Sequence, residues 1–302
     1  MKRIFWIAAA LVGLIAIAAC QKQAPAVPQP ESEEAVAVLS VKIPEEIATK
    51  VYSDGTSATK LQYAVYRNDE FLFGNQEDIQ ISLQTTVDIR LVKNVAYDIV
   101  FWAQHPDAPY TFDKAAKTIT VSYDNADAND ETRDAFFQLV EDYVYVPSAT
   151  VVELYRPFAQ INFGASDYKD VTALALDMTS SAEISGLPNV LNVLDRTVSG
   201  SADVKFKHTA VPAASGEKLS INGDDQTYAY VSMNYVLAPA ENSILGNVTG
   251  RFFYNNAEVA VSAANVPYKR NYRTNIIGQF YTGEAKFNIE IVPIFNNPDY
   301  IL

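Results

Sequence analysis

From residue 35 onward the apolar positions of the chain recur with a period of two. In "AVAVLSVKI" (35–43), Ala35, Ala37, Leu39, Val41 and Ile43 fall on one side and Ser40 and Lys42 on the other, the pattern of a half-buried strand. Comparable runs follow at "LQYAVYR" (61–67), "DIQISL" (78–83), "VDIRLV" (87–92), "YDIVFWA" (97–103) and "TITVSY" (118–123). Turn-forming pairs such as Asp54-Gly55 and Pro106-Asp107 separate some of them. One segment departs from this rhythm. "NDETRDAFFQLVEDY" (129–143) offers Asn129 or Asp130 as a cap, carries acids in its first turn and spaces Ala135, Leu139 and Tyr143 four apart, so it predicts a short helix.

"VVELYRPFAQINFG" (151–164) looks like the start of a second domain, because Pro157 suits only the beginning or the edge of a strand, and the strand rhythm then resumes. It continues through "VTALALDM" (171–178), "TYAYVSMNYVLAP" (227–239), "TNIIGQFY" (274–281) and "KFNIEIV" (286–292), while "GRFFY" and "EVAVS" read as a hairpin through Asn255-Asn256. Many short strands without long helices predict an all-β chain of two tandem sandwiches, at 35–150 and 151–302, with the short helix in the first.

The first 34 residues read differently. Lys2 and Arg3 precede an uncharged apolar run, Ile4 to Ala19, which is an export-signal pattern and is short for spanning a bilayer. Ile17-Ala18-Ala19-Cys20 has the form of a bacterial lipobox and holds the single cysteine of the 302-residue chain. Cys20 is then the expected lipid attachment point and first mature residue, after a signal peptide of residues 1–19. Acyl chains contribute about 0.8 kcal/mol per buried methylene, so such an anchor needs no membrane-spanning helix. "QKQAPAVPQPESEE" (21–34), with three prolines and three glutamates, has the composition of a solvated tether, giving a tether of residues 20–34.

Composition narrows the function. A lone cysteine forms no internal disulfide, so the fold rests on its core, and 49% hydrophobic content over 302 residues is ample for one. The net charge of −13 becomes −15 once Lys2 and Arg3 leave with the signal, which opposes nucleic acid as a partner.

Candidate chemistry is sparse. His105 and His208 are the only histidines and neither has a ligand-spaced neighbour. No nucleophile elbow or phosphate-binding glycine loop occurs, so no enzyme and no cofactor are expected. "DNADANDE" (124–131) is the metal candidate, for calcium, but counted from Asp127 the calcium-loop glycine and closing glutamate are replaced by Thr132 and Gln138. A solvated acidic loop is the other reading, and no metal site is assigned. Lys269, Arg270 and Arg273 form a basic cluster, read as paired surface charges with a phosphate contact as the alternative. Trp102 is the one tryptophan after the signal and falls in an alternating run, where core packing is the default.

The lipobox ending in Cys20, "LQYAVYR", "YDIVFWAQ" (97–104), "TRDAFF" (132–137), "LYRPFAQINF" (154–163) and "VPYKRNYRTNIIGQFYT" (266–282) together resemble the fimbrillin-like lipoproteins of Bacteroidales-type bacteria, a family of fimbrial shaft, anchor and tip subunits. The resemblance implies transthyretin-like sandwiches, anchoring at the outer membrane with exposure at the cell surface, and assembly with other fimbrial subunits by strand exchange. A protease removes the first strand and a neighbour's strand fills the groove. Here that strand carries Leu39, Val41 and Ile43. Shaft subunits of the family are commonly cut after arginine, whereas this chain has none between Arg3 and Arg67, which leaves Lys50 as the candidate processing site. The expected function is a non-enzymatic fimbrial subunit or anchor in adhesion, with an unidentified receptor. The alternative is a glycan-binding surface lipoprotein of a polysaccharide-uptake system.

Overall fold

The computed structural model describes residues 33–44, 54–167, 179–210, 214–221, 224–254, 257–281 and 286–293. Cys20, the signal and most of the tether, Lys50 and the expected strand at 171–178 lie outside the described residues. The strands in the first half are β1 (Glu34–Lys42), β2 (Lys60–Arg67), β3 (Glu70–Gly74), β4 (Ile79–Gln80), β5 (Gln84–Val92), β6 (Ala96–Gln104), β7 (Tyr110–Asp113), β8 (Thr118–Val121), β9 (Ala135–Val144) and β10 (Thr150–Glu153). Those that follow are β11 (Phe158–Ala165), β12 (Thr179–Leu187), β13 (Val190–Asn192), β14 (Val198–Ser199), β15 (Ala202–Lys205), β16 (Thr209–Ala210), β17 (Ala214–Ile221), β18 (Asp224–Leu237), β19 (Ser243–Tyr254), β20 (Ala257–Tyr268), β21 (Tyr272–Gln279) and β22 (Lys286–Pro293). The expectation of an all-β chain holds, and its sheets stack in sandwich-like layers.

A three-stranded sheet, β10-β1-β5, faces the sheet β3-β2-β6-β9, and Leu39, Val41, Ile89, Leu61, Ile99 and Phe101 are among the side chains that fill the space between them. The second of these sheets is covered on both sides. Ile99, Phe101 and Ala103 of β6 enter this core, whereas Val100 and Trp102 enter a second, larger one. That double burial explains why "IVFWA" is apolar without interruption. The larger core also holds inner residues of the sheets β17-β18-β11-β21-β22 and β15-β12-β19-β20, including Ile161, Phe163, Ile184, Val248, Phe252 and Ile276. Phe252 stacks on Phe280 with centroids 5.1 Å apart, and a Cβ on Gly250 would sit 2.8 Å from the Phe163 ring, so only glycine lets β19 pass this cluster. A small sheet, β14-β13-β8-β7, joins hairpins from the two halves of the chain.

The expected helix at 129–143 is corrected. Asp130 accepts from the Thr132 backbone N–H at 3.0 Å, as a helix cap would, yet only a single 3-10 turn, Glu131–Arg133, follows before β9 begins. The cause is that Phe136 packs in the first core and its neighbour Phe137 in the second. Consecutive side chains point to opposite sides only in a strand, and the Phe, Val and Tyr content favours that choice. Elsewhere the expected run "DIQISL" contributes only the two-residue β4, and Leu83 at its end adopts φ 63°. The hairpin through Asn255-Asn256 is supported by the pairing of Tyr254 with Ala257.

The outer face of the last sheet carries a charge rail across four strands. Lys205 meets Glu183 at 2.8 Å, Arg251 grips the same carboxylate at 3.0 and 3.2 Å, and Arg251 also pairs with Glu258. Hydrogen bonds from Arg251 and Lys205 hold the Glu183 carboxyl below the usual range. Its stabilising contribution is therefore present above the ordinary carboxylate pKa and lost as pH falls through the lowered folded value. We expect Glu183→Gln to cost about 0.5–1 kcal/mol at neutral pH, since the rail is partly open to solvent. Urea melts should show that difference closing at strongly acidic pH and in high salt.

Candidate functional site

The sequence singled out Leu39, Val41 and Ile43, and the structure places them at the centre of the first sheet. All nine residues of β1 pair antiparallel with β5, from Glu34 opposite Val92 to Lys42 opposite Gln84. On its other side Leu39 to Lys42 pair parallel with Thr150 to Glu153 of β10. β1 is thus the middle strand, and among the described residues neither flanking strand has another neighbour in that sheet. Ala37, Leu39, Val41 and Ile43 point inward and are at most 1% exposed, whereas Val36 on the outer face is 47% exposed.

Both ends of β1 are fastened. At its C-terminal end Ile43 donates its N–H to the Leu83 carbonyl at 2.7 Å, Leu154 donates to the Lys42 carbonyl at 2.9 Å, and Lys42 pairs with Glu153 at 2.7 Å. Arg90 and Glu34 pair loosely at 3.7 Å across the other end. Gly55, at φ 73°, lies under Ile43: a Cβ there would sit 3.0 Å from both Ile43 Cγ2 and Phe136 Cζ. Burying a Leu, Val or Ile side chain contributes about 1.5–3 kcal/mol, so the three large inward residues together hold β1 by roughly 5–9 kcal/mol before ordering costs. Chemically the arrangement is a slot for an extended strand. It offers two rows of ladder groups and a string of apolar sockets two residues apart.

The segments that carried the family resemblance come together beside this slot. Asp134 of "TRDAFF" and Arg156 of "LYRPFAQINF" form a bidentate pair at 2.6 Å on each arm, both fully buried. Burial pushes the Asp134 carboxyl up while the Arg156 guanidinium pulls it back. Arg156 also lies over the Phe136 ring, 4.6 Å from its centroid. Phe137 and Tyr155 exchange backbone hydrogen bonds at 2.8 and 3.0 Å, and Phe137 pairs with Trp102 of "YDIVFWAQ". β11 runs parallel to β21, with Gln160 opposite Arg273 and Asn162 opposite Asn275, so "YRTNIIG" joins the same seam. The buried ion pair escaped the sequence reading because its partners are 22 positions apart and each stands among ordinary polar neighbours.

The other candidates fall elsewhere. Asp130 of the acidic loop is engaged with Thr132, Ala126 and Ala128 are buried, and no group of three or more potential metal ligands gathers among the described residues. His105 accepts from the Asp107 N–H in a surface loop, and His208 contacts Ser181 at 3.2 Å. Trp102 is fully buried and donates to Gln104, so it offers no face to a sugar. Arg270 is corrected from a surface charge to a buried one, 5% exposed. Among the described residues no helix is long and apolar enough to cross a membrane.

Comparison with known proteins supplies relatives by fold. A provisionally assigned cell adhesion protein of Bacteroides uniformis superposes with a TM-score of 0.51 at 9% identity, covering 88% of this chain and 99% of its own. One of the same description from Bacteroides ovatus gives 0.52 at 12% identity, with coverage of 88% and 99%. The tip fimbrial protein Mfa3 of Porphyromonas gingivalis, truncated at its C-terminus, gives 0.49 at 8% identity, with coverage of 86% and 100%. No curated protein matches. A sequence-family model matches residues 28–301, nearly the whole folded chain, and the protein belongs to that family, DUF6562, a family of unknown function.

Proposed function

We propose that the protein is a non-enzymatic cell-surface adhesion protein of fimbrial type, a subunit or anchor held at the outer membrane by a lipid on Cys20. The observation that carries the proposal is the position of β1. The strand nearest the amino-terminal tether is the middle of its sheet, so its removal opens a slot that a strand of another subunit fits. The adhesion role is carried over from the two cell adhesion proteins of like fold, and the partners it calls for are other fimbrial subunits. Processing at Lys50 is part of the proposal and yields a chain beginning at Val51, while retention of β1 makes the molecule an anchor.

Extracts of cells displaying the protein, run without boiling, test this reading. A fimbrial subunit gives ladders that collapse to one band on heating in denaturant. A monomer that shows no ladder and is retained on immobilised glycans would replace the proposal with the polysaccharide-uptake alternative.

A further inference from the structure

The charges on the outer face of the sheet β15-β12-β19-β20 stand in a fixed order across its four strands. Lys205 on β15, Glu183 on β12, Arg251 on β19 and Glu258 on β20 alternate plus, minus, plus, minus, and each pairs with the next. The strand register sets the line. Glu183 lies directly opposite Lys205, whereas Arg251 and Glu258 each stand one diagonal step further along, opposite Ser181 and Phe253. Directly opposite and diagonal positions share one face of a sheet, so the four side chains form a single row.

The rest of this face permits close approach. The outward row of β20 continues from Glu258 through Ala260, Ser262 and Ala264, all exposed and all small, while Val261 and Ala263 between them are buried. Two large apolar side chains of β19 flank the row of charges. Phe253, opposite Glu258, is 40% exposed, and Ile244, whose neighbour Leu245 enters the core, is 65% exposed. The four strands, about 4.8 Å apart and rising about 3.3 Å per residue, present roughly 600 Å². Twice that area stands at the lower end of specific interfaces, about 1,200 Å², which suits a reversible dimer.

We propose that this face docks on the same face of a second copy, about a two-fold axis lying between the sheets and across the row of charges. That axis reverses the row, so Lys205 meets the partner's Glu258 and Glu183 meets the partner's Arg251, each pair forming twice. A two-fold axis along the row would instead set like charges together, so the order of charges selects one arrangement. The row sums to zero and is spared the repulsion that the overall charge of −13 imposes on chance pairings of two copies. Ile244 and Phe253 supply the apolar burial, and the small side chains of β20 let the sheets approach to about 10 Å. The β1 slot plays no part in this contact.

Sedimentation equilibrium of the full mature chain in density-matched detergent tests the proposal, and a monomer–dimer equilibrium in the micromolar range is expected. Lys205→Glu and Glu258→Lys should each weaken self-association at least about tenfold, because each sets like charges together twice. An equimolar mixture of the two variants should return to within about threefold of the parent, since the reversed charges then face opposite ones at both places. That rescue requires both variants to be folded, so it separates a lost contact from a lost fold. Oligomers held by strand exchange survive both reversals, as neither residue lies in the first sandwich. A parent chain that stays monomeric, single variants that dimerise as the parent does, or a mixture that stays monomeric overturns the interface.

Discussion

Leu39→Asp is expected to abolish cooperative folding of the first sandwich. Leu39 is completely buried between two sheets, and its removal forfeits about 1.5–3 kcal/mol of apolar burial. The new carboxylate adds a further penalty of several kcal/mol, because it enters a core of apolar side chains such as Ile89, Leu61 and Phe101. The sum rivals the whole stability of a typical domain, about 5–15 kcal/mol. Val36→Asp, on the same strand but facing water, should change stability by no more than about 0.5 kcal/mol. Circular dichroism melts of the two variants decide the matter: equal effects would mean that β1 does not sit in the described register.

The second large effect is expected at the buried ion pair. Asp134→Ala leaves the Arg156 guanidinium fully buried and stripped of its bidentate partner, which typically costs about 3–5 kcal/mol. Arg156→Ala should cost a similar amount, with the added loss of its packing over Phe136. Replacing both, Asp134→Leu with Arg156→Met, removes two desolvated charges together and should be milder than either single change. Urea denaturation midpoints of the three variants measure this, and additive losses in the double variant would show that the pair does not act as a unit.

The fold was legible wherever one face of a strand is wet. Lys42 and Ser40 mark the outer side of β1, so the period of two is written in the sequence there. It failed at Ala135–Val144 because a sheet covered on both sides needs apolar residues at consecutive positions, and a four-residue spacing among them then mimics a helix. Within "VVELYRPFAQINFG" the first part, β10, pairs with β1 while the part after Pro157 forms β11 in another sheet. Only long-range pairing distinguishes the two, and no local signal carries it. The slot side chains were found because they lie on one amphipathic strand.

Segments that carried the resemblance meet in a single seam: Trp102 against Phe137, Asp134 against Arg156, and β11 beside β21. Residues that must satisfy one another across several strands tolerate few alternatives. Solvent-facing stretches of the same strands carry no such requirement.

The slot is tested most directly by strand complementation. A chain beginning at Val51 should fail to give a stable monomer, and adding a peptide of residues 34–44 should restore one cooperative thermal transition, with Leu39→Asp in the peptide abolishing the rescue. A truncated chain that melts like the intact protein, or equal rescue by both peptides, would contradict a structure organised around that strand.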